Sequence, residues 1–117
     1  MAEAINQNGV PAEGVHVFLE SKYFRAEGIY YGKELTVLKG SRIRLGEKTE
    51  NYEKNVSADV RQKRADTAVV DAEGIVLQDV LFSSPTDAAS FVAARHRSGP
   101  AVWKTADGTA IRDLKQA

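Results

Sequence analysis

Apolar and polar positions alternate first over residues 15–20, "VHVFLE", with Val15, Val17 and Leu19 on one face and His16, Phe18 and Glu20 on the other. A turn around Ser21 and Lys22 leads to "YFRAEGIYYG", and Gly32 and Lys33 lead to "ELTVLKG". Aromatic and β-branched enrichment between glycines predicts three short antiparallel strands in a meander. Beyond Gly40 the apolar pattern thins, and "SRIRLGEKTENYEKN" reads as a polar loop. Ser57 is placed to cap a helix running to about Ala72, because Val60, Ala65, Ala68 and Val69 form a partial stripe before Glu73 and Gly74. "IVLQDVLF" then reads as a short extended segment or as a turn and edge strand.

The second helix carries the strongest local signals. Ser84 suits the N-cap, Pro85 the first helical position and Asp87 the third, closing a capping box. Ala88, Ala89, Phe91, Val92, Ala93 and Ala94 form a face small enough for close approach to a sheet. Arg95, His96 and Arg97 complement the dipole at the last turn, and Gly99 with Pro100 is expected to stop the helix. "AVWKTADGTAIRDL" predicts a strand, a turn at Asp107 and Gly108, then a second short strand or a terminal helical turn. The expected fold is α+β: an N-terminal three-stranded antiparallel meander, two helices packed on it, and a C-terminal strand pair or hairpin. Residues 1–14 read as a flexible lead-in and 15–117 as one domain.

Composition narrows the function classes. The 117 residues suit one core, and 43% hydrophobic with 27% charged residues is ordinary globular usage. No apolar run approaches the roughly 20 residues of a membrane span, and the N-terminus lacks the basic start and apolar stretch of a secretory signal. The absence of cysteine removes disulfides and thiolate chemistry and is compatible with a cytoplasmic address. Sixteen basic and sixteen acidic residues sum to zero, so any attraction to nucleic acid must come from a local patch.

Most chemical candidates have a simpler reading. "GIYYG" at 28–32 shares letters with the GIY-YIG nucleases, but those place the two tripeptides on separate strands, and here they are contiguous in one. Ser83 or Ser84 would need a nearby base, the histidines are only His16 and His96, and capping explains a serine before proline. Asp66 and Asp71 read as a solvated helix face, and Trp103 as a core anchor. "LKGS" at 38–41 reads as an anion-binding nest or as a turn leaving a strand. The cations stand out because they cluster. Lys39, Arg42, Arg44 and Lys48 lie within ten residues holding one acid, Glu47; Arg61, Lys63 and Arg64 follow on the first helix, and Arg95, His96, Arg97 and Lys104 flank the end of the second. Three such segments either converge on one phosphate-facing patch or are scattered solubilising charges.

Three blocks carry a resemblance: "AEGIYYGKELTVLKGSRIR", "LFSSPTDAASFVAARHRSG" and "VWKTADGTAI". Together they resemble a family of small bacterial domains of unknown function, often appended C-terminally to GIY-YIG nucleases and sometimes alone. The matching positions are Lys39, Gly40 and Ser41, then Phe82, Ser83, Ser84, Pro85, Ala88, Ala89, Arg95 and Gly99, then Trp103, Asp107 and Gly108. Ala94 stands where the family has glycine, Ser98 where it has asparagine, and Pro100 where it has an aromatic. The last two blocks are also similar to the RAMA domain, which accompanies restriction and methylation enzymes. The resemblance implies a noncatalytic accessory role near nucleic-acid enzymes; no cofactor is expected. The expectation is a DNA- or RNA-binding module with Lys39, Arg42, Arg44, Arg95 and Arg97 on phosphates and Ser41 and Ser98 donating hydrogen bonds. The competing class is a protein-interaction module that docks on a nuclease or restriction enzyme through Tyr23, Tyr30 or Tyr31.

Overall fold

The computed structural model describes residues 14–45, 56–94 and 98–113. Three strands form the meander read from the alternation: β1 (Val15–Glu20), β2 (Arg25–Tyr30) and β3 (Leu35–Val37). A helix, α1 (Ala58–Ala65), precedes a fourth strand, β4 (Val80–Phe82), and two helices follow it, α2 (Pro85–Ala93) and the single-turn α3 (Gly99–Val102). The sheet is antiparallel throughout in the order β1-β2-β3-β4. Among the described residues the sheet thus has four strands: "VLF" adds the edge strand that "IVLQDVLF" allowed, pairing Val80 with Val37 and Phe82 with Leu35.

Alternation sets which face is buried. Val17, Leu19, Ala26, Leu35, Val37, Val80 and Phe82 point to one side and meet Ala88, Ala89, Phe91 and Val92 of α2. The Phe82 and Phe91 rings lie 5.0 Å apart at the centre of this layer. Gly28 is needed in β2 because a Cβ there would sit 2.8 Å from a Leu35 methyl and 2.9 Å from the Thr36 carbonyl oxygen. The "GIYYG" letters are thus strand and turn residues, with Gly32 at φ 94° in the β2–β3 turn. Ala89 is fully buried. Ala89→Leu should destabilise by about 1 to 3 kcal/mol through overpacking, and an unchanged thermal midpoint would reject this placement of α2.

At the N-terminus of α2 the serine cap and the first-position proline form as the sequence predicts, but the Asp87 carboxylate meets the Ser83 hydroxyl, at 3.4 Å, rather than closing a capping box. The Ser84 hydroxyl accepts from the Asp87 N–H at 3.1 Å with Pro85 at the first position. The C-terminus of α2 does not form as predicted. The helix ends at Ala93, and Ala94 takes the left-handed conformation at φ 63°, one that glycine adopts without steric cost. This conformation gives a physical reason for a glycine in that place. Gly99 and Pro100 do not stop α2; they begin α3. The last turn of α2 itself holds no basic residue, and Arg95, His96 and Arg97 lie outside the described residues. Its terminal carbonyls are met from elsewhere: the Arg64 guanidinium donates to Phe91 O at 2.6 Å and the Arg44 N–H to Val92 O at 2.8 Å.

Two further expectations are corrected. The first helix stops at Ala65 rather than near Ala72, because Asp66 turns the chain: its side chain accepts from the Ala68 N–H, and its carbonyl from Val69 and Val70. Asp71 repeats the device, accepting from Glu73 and Ile75, so both aspartates are turn-makers rather than a helix face. The C-terminal strand pair is reduced to single bridges, Lys104 to Phe18 and Lys104 to Ala110, around a turn at 105–109, with a short 3-10 helix after it at Ile111–Asp113. Asp107 closes that turn; hydrogen bonds from Thr105 and Thr109 hold its carboxyl below the usual value. Pairing goes no further because Trp103 is drawn into the core, its indole N–H donating 3.0 Å to Pro85 O.

Candidate functional site

A tight turn joins β1 to β2 and is fixed from within. The Ser21 N–H donates to Phe24 O at 2.9 Å, the Ser21 hydroxyl accepts from the Tyr23 N–H at 3.0 Å, and the Phe24 side chain is buried. Lys22 and Tyr23 are therefore held outward at the tip, with half of the Tyr23 surface exposed.

Immediately after the turn, Arg25 pairs with Arg42. Each N–H donates to the other's carbonyl, at 2.9 and 2.8 Å, so the two residues are directly opposite in an antiparallel pair and their side chains share a face. Both are exposed. Like charges opposed in this way are unfavourable. Glu20 relieves Arg25 at 3.6 Å, whereas Arg42 has no carboxylate partner among the described residues.

Arg44, two residues on, returns the cluster to the turn: its guanidinium lies 4.5 Å from the Tyr23 ring centre, and the Lys22 ammonium lies 5.0 Å from it. Lys22, Tyr23, Arg42, Ile43, Arg44, Leu45 and Glu73 line one shallow groove of about 310 Å³. Three of the seven lining residues are cations and one is an acid, so its balance is basic even though the whole chain is neutral.

Lys39 edges a neighbouring groove of about 410 Å³ shared with Arg25, Glu27 and Ser41. The "LKGS" amides do not form a nest, because each is already used: Lys39 N–H donates to the Asp79 carboxylate, Gly40 N–H to Val76 O and Ser41 N–H to Leu38 O. Ser41 is buried, and its hydroxyl is bonded to the Glu27 backbone, accepting from the N–H at 3.1 Å. It ties the turn to β2. Ser98 is exposed ahead of α3. Arg95, His96, Arg97 and Lys48 lie outside the described residues.

The first-helix cations do not join the patch. Arg61 donates to Val56 O, Lys63 pairs with Asp59 at 2.7 Å and sits over the Phe82 ring, and Arg64 spans Phe91 O and Arg44 O. Of the expected binding residues, the structure thus brings Arg42 and Arg44 together and sets Lys39 beside them through Arg25. Two members were missed by sequence reasoning, Lys22 and Arg25. The signal was "SKYFR" at 21–25, two cations around two aromatics at a hairpin tip.

Of the three tyrosines, Tyr30 is half-buried, with its hydroxyl donating to Gly32 O at 2.8 Å and its pKa raised by that burial. Tyr31 is exposed beside the β2–β3 turn. The capping serines have no histidine beside them among the described residues, since His16 pairs with Glu27 at 3.0 Å. Those residues also contain no group of three or more His, Cys, Asp or Glu side chains placed to hold a metal ion, and no helix long and apolar enough to cross a membrane.

No curated protein and no solved structure matches the chain. A family model does, over residues 17–115, from β1 to beyond the 3-10 helix, and the chain belongs to that family, described as Domain of unknown function (DUF4357).

Proposed function

We propose that this chain is a noncatalytic nucleic-acid-binding module whose phosphate contacts come from Lys22, Arg25, Lys39, Arg42 and Arg44. The observation that carries this reading is the Arg25–Arg42 pair, two guanidinium groups held on one face against their mutual repulsion, with Arg42 lacking a described carboxylate partner. An anion such as a phosphate diester relieves that repulsion. The resemblance to domains that accompany nucleases and restriction or methylation enzymes supports an accessory role beside such an enzyme.

Glu20 and Glu73 offset part of the charge, so about three phosphates are engaged, and log K should fall with log salt at a slope of roughly −2 to −3. Replacing Arg42 and Arg44 together by glutamate should lower affinity about tenfold or more at low salt and flatten that slope by about 1 to 2. Fluorescence polarisation with labelled oligonucleotides, run as a salt series, measures both. Absence of binding at low salt to single strands and duplexes alike would reject the reading.

The competing reading, docking on a nuclease or restriction enzyme, is favoured by the exposure of Tyr23 and Leu45 in the same groove. A pulldown of such an enzyme that survives nuclease digestion, with no oligonucleotide binding, would select it.

A further inference from the structure

The patch is built around a ring as well as around charges, and that arrangement discriminates between kinds of nucleic acid. Helices read duplex DNA by lying in the major groove, but neither of the two longer helices among the described residues is available to do so. Seven of the nine residues of α2 are buried, and the cations of α1 are engaged with backbone carbonyls and Asp59. What the surface offers instead is Tyr23, half exposed at the tip of a turn whose backbone is pinned by Ser21. Lys22 and Arg44 lie within 5.0 Å of its ring centre, and Arg42 lies in the same groove.

An aromatic set among cations at the tip of a fixed turn is what an unpaired nucleotide requires: a face for the base and positive charge for the flanking phosphates. A paired base keeps its faces inside the stack and cannot use the ring.

Resting on the nucleic-acid reading above, we infer that the site takes single-stranded nucleic acid, with one unpaired base stacked on Tyr23 and the adjoining phosphates on Arg25, Arg42 and Arg44. Stacking uses a π-face that every base has, so the contact is tolerant of sequence. The Arg44 guanidinium over the ring positions it before the strand arrives.

The experiment compares a labelled single-stranded oligonucleotide of mixed sequence with the same sequence as a blunt duplex, using the whole chain and Tyr23→Ala, Tyr23→Phe and Tyr31→Ala variants. Circular dichroism confirms that each is folded. The expected result is tighter binding to the single strand. Tyr23→Ala should lose about fivefold or more of that affinity, the effect of removing one stacked base, with the salt slope retained. Tyr23→Phe should keep most of the affinity, and Tyr31→Ala, at the far end of β2, should bind as the unaltered chain does. Quenching of tyrosine fluorescence on binding should disappear in Tyr23→Phe. Equal binding of duplex and single strand, or an unchanged affinity in Tyr23→Ala, would overturn the inference. If binding then still fell with Arg42 and Arg44 reversed, the phosphate-binding reading would stand without it; no binding of either oligonucleotide would remove both.

Discussion

Gly99→Ala should cost at least about 3 kcal/mol, at the upper end of overpacking penalties, and lower the melting temperature by roughly 10 to 25 °C for a domain of this size. A Cβ at this position would fall 2.1 Å from the Pro85 carbonyl carbon, 2.3 Å from its oxygen and 2.3 Å from the Thr86 nitrogen. All three are backbone atoms, and they cannot drift. Pro85 is tied to Trp103 by the indole N–H, Thr86 accepts from the Gly99 N–H at 3.1 Å, and Ser84 caps the helix they begin.

Gly40→Ala is the control that isolates sterics from backbone strain. Gly40 has φ 92° with nothing within 4 Å of an added Cβ, so alanine there should cost only about 1 to 2 kcal/mol of left-handed strain. A melting temperature for Gly99→Ala within about 2 °C of the unaltered chain would mean that α3 does not sit against the start of α2.

Arg64→Met should destabilise by about 2 to 4 kcal/mol, since each hydrogen bond from a charged donor is worth about 1.5 to 3 kcal/mol and the two here are not independent. The guanidinium joins two structures far apart in the chain, donating to Phe91 O at the end of α2 and to Arg44 O in the irregular segment beside it. Methionine keeps the apolar stem but leaves both carbonyls without that donor, and it removes the cation from the negative end of the helix. Arg64→Lys should recover only part of the loss, because a single ammonium lacks the fork that reaches two acceptors. Urea unfolding measures the difference as a shift in midpoint at constant slope. Equal stability of Arg64→Met would remove Arg64 as the cap of α2. The same substitution should leave oligonucleotide affinity nearly unchanged in the folded fraction, since Arg64 is spent on the fold.

Much of the family resemblance resides in this joint rather than in a chemical site. Ser84, Pro85 and Asp87 start α2, Ala88 and Ala89 let it lie on the sheet, Gly99 admits the next backbone, and Trp103 closes over Pro85. Ser41 and Gly40 likewise shape a turn whose amides are satisfied internally. Such residues identify a fold readily and say little about its ligand, because packing constrains them more tightly than binding does.

The local patterns were legible for local reasons. Strand alternation in β1 to β3 follows from side chains pointing to opposite faces, and the Ser84–Pro85–Asp87 start follows from hydrogen bonds within four residues. Where a contact spans the chain, the pattern was silent or misleading. The end of α2 depends on Arg64 and Arg44, 27 residues away at the nearer contact; the expected C-terminal strand gave way to a buried indole that reaches 18 residues back. Runs of cations in the sequence likewise do not set which charges share a face. Arg61, Lys63 and Arg64 are adjacent in the chain yet engaged within the fold, while Arg25 and Arg42 are 17 residues apart and share a face. Spacing along a chain sets what a residue can do within its own element, and the hydrogen-bond register between elements sets which charges become neighbours.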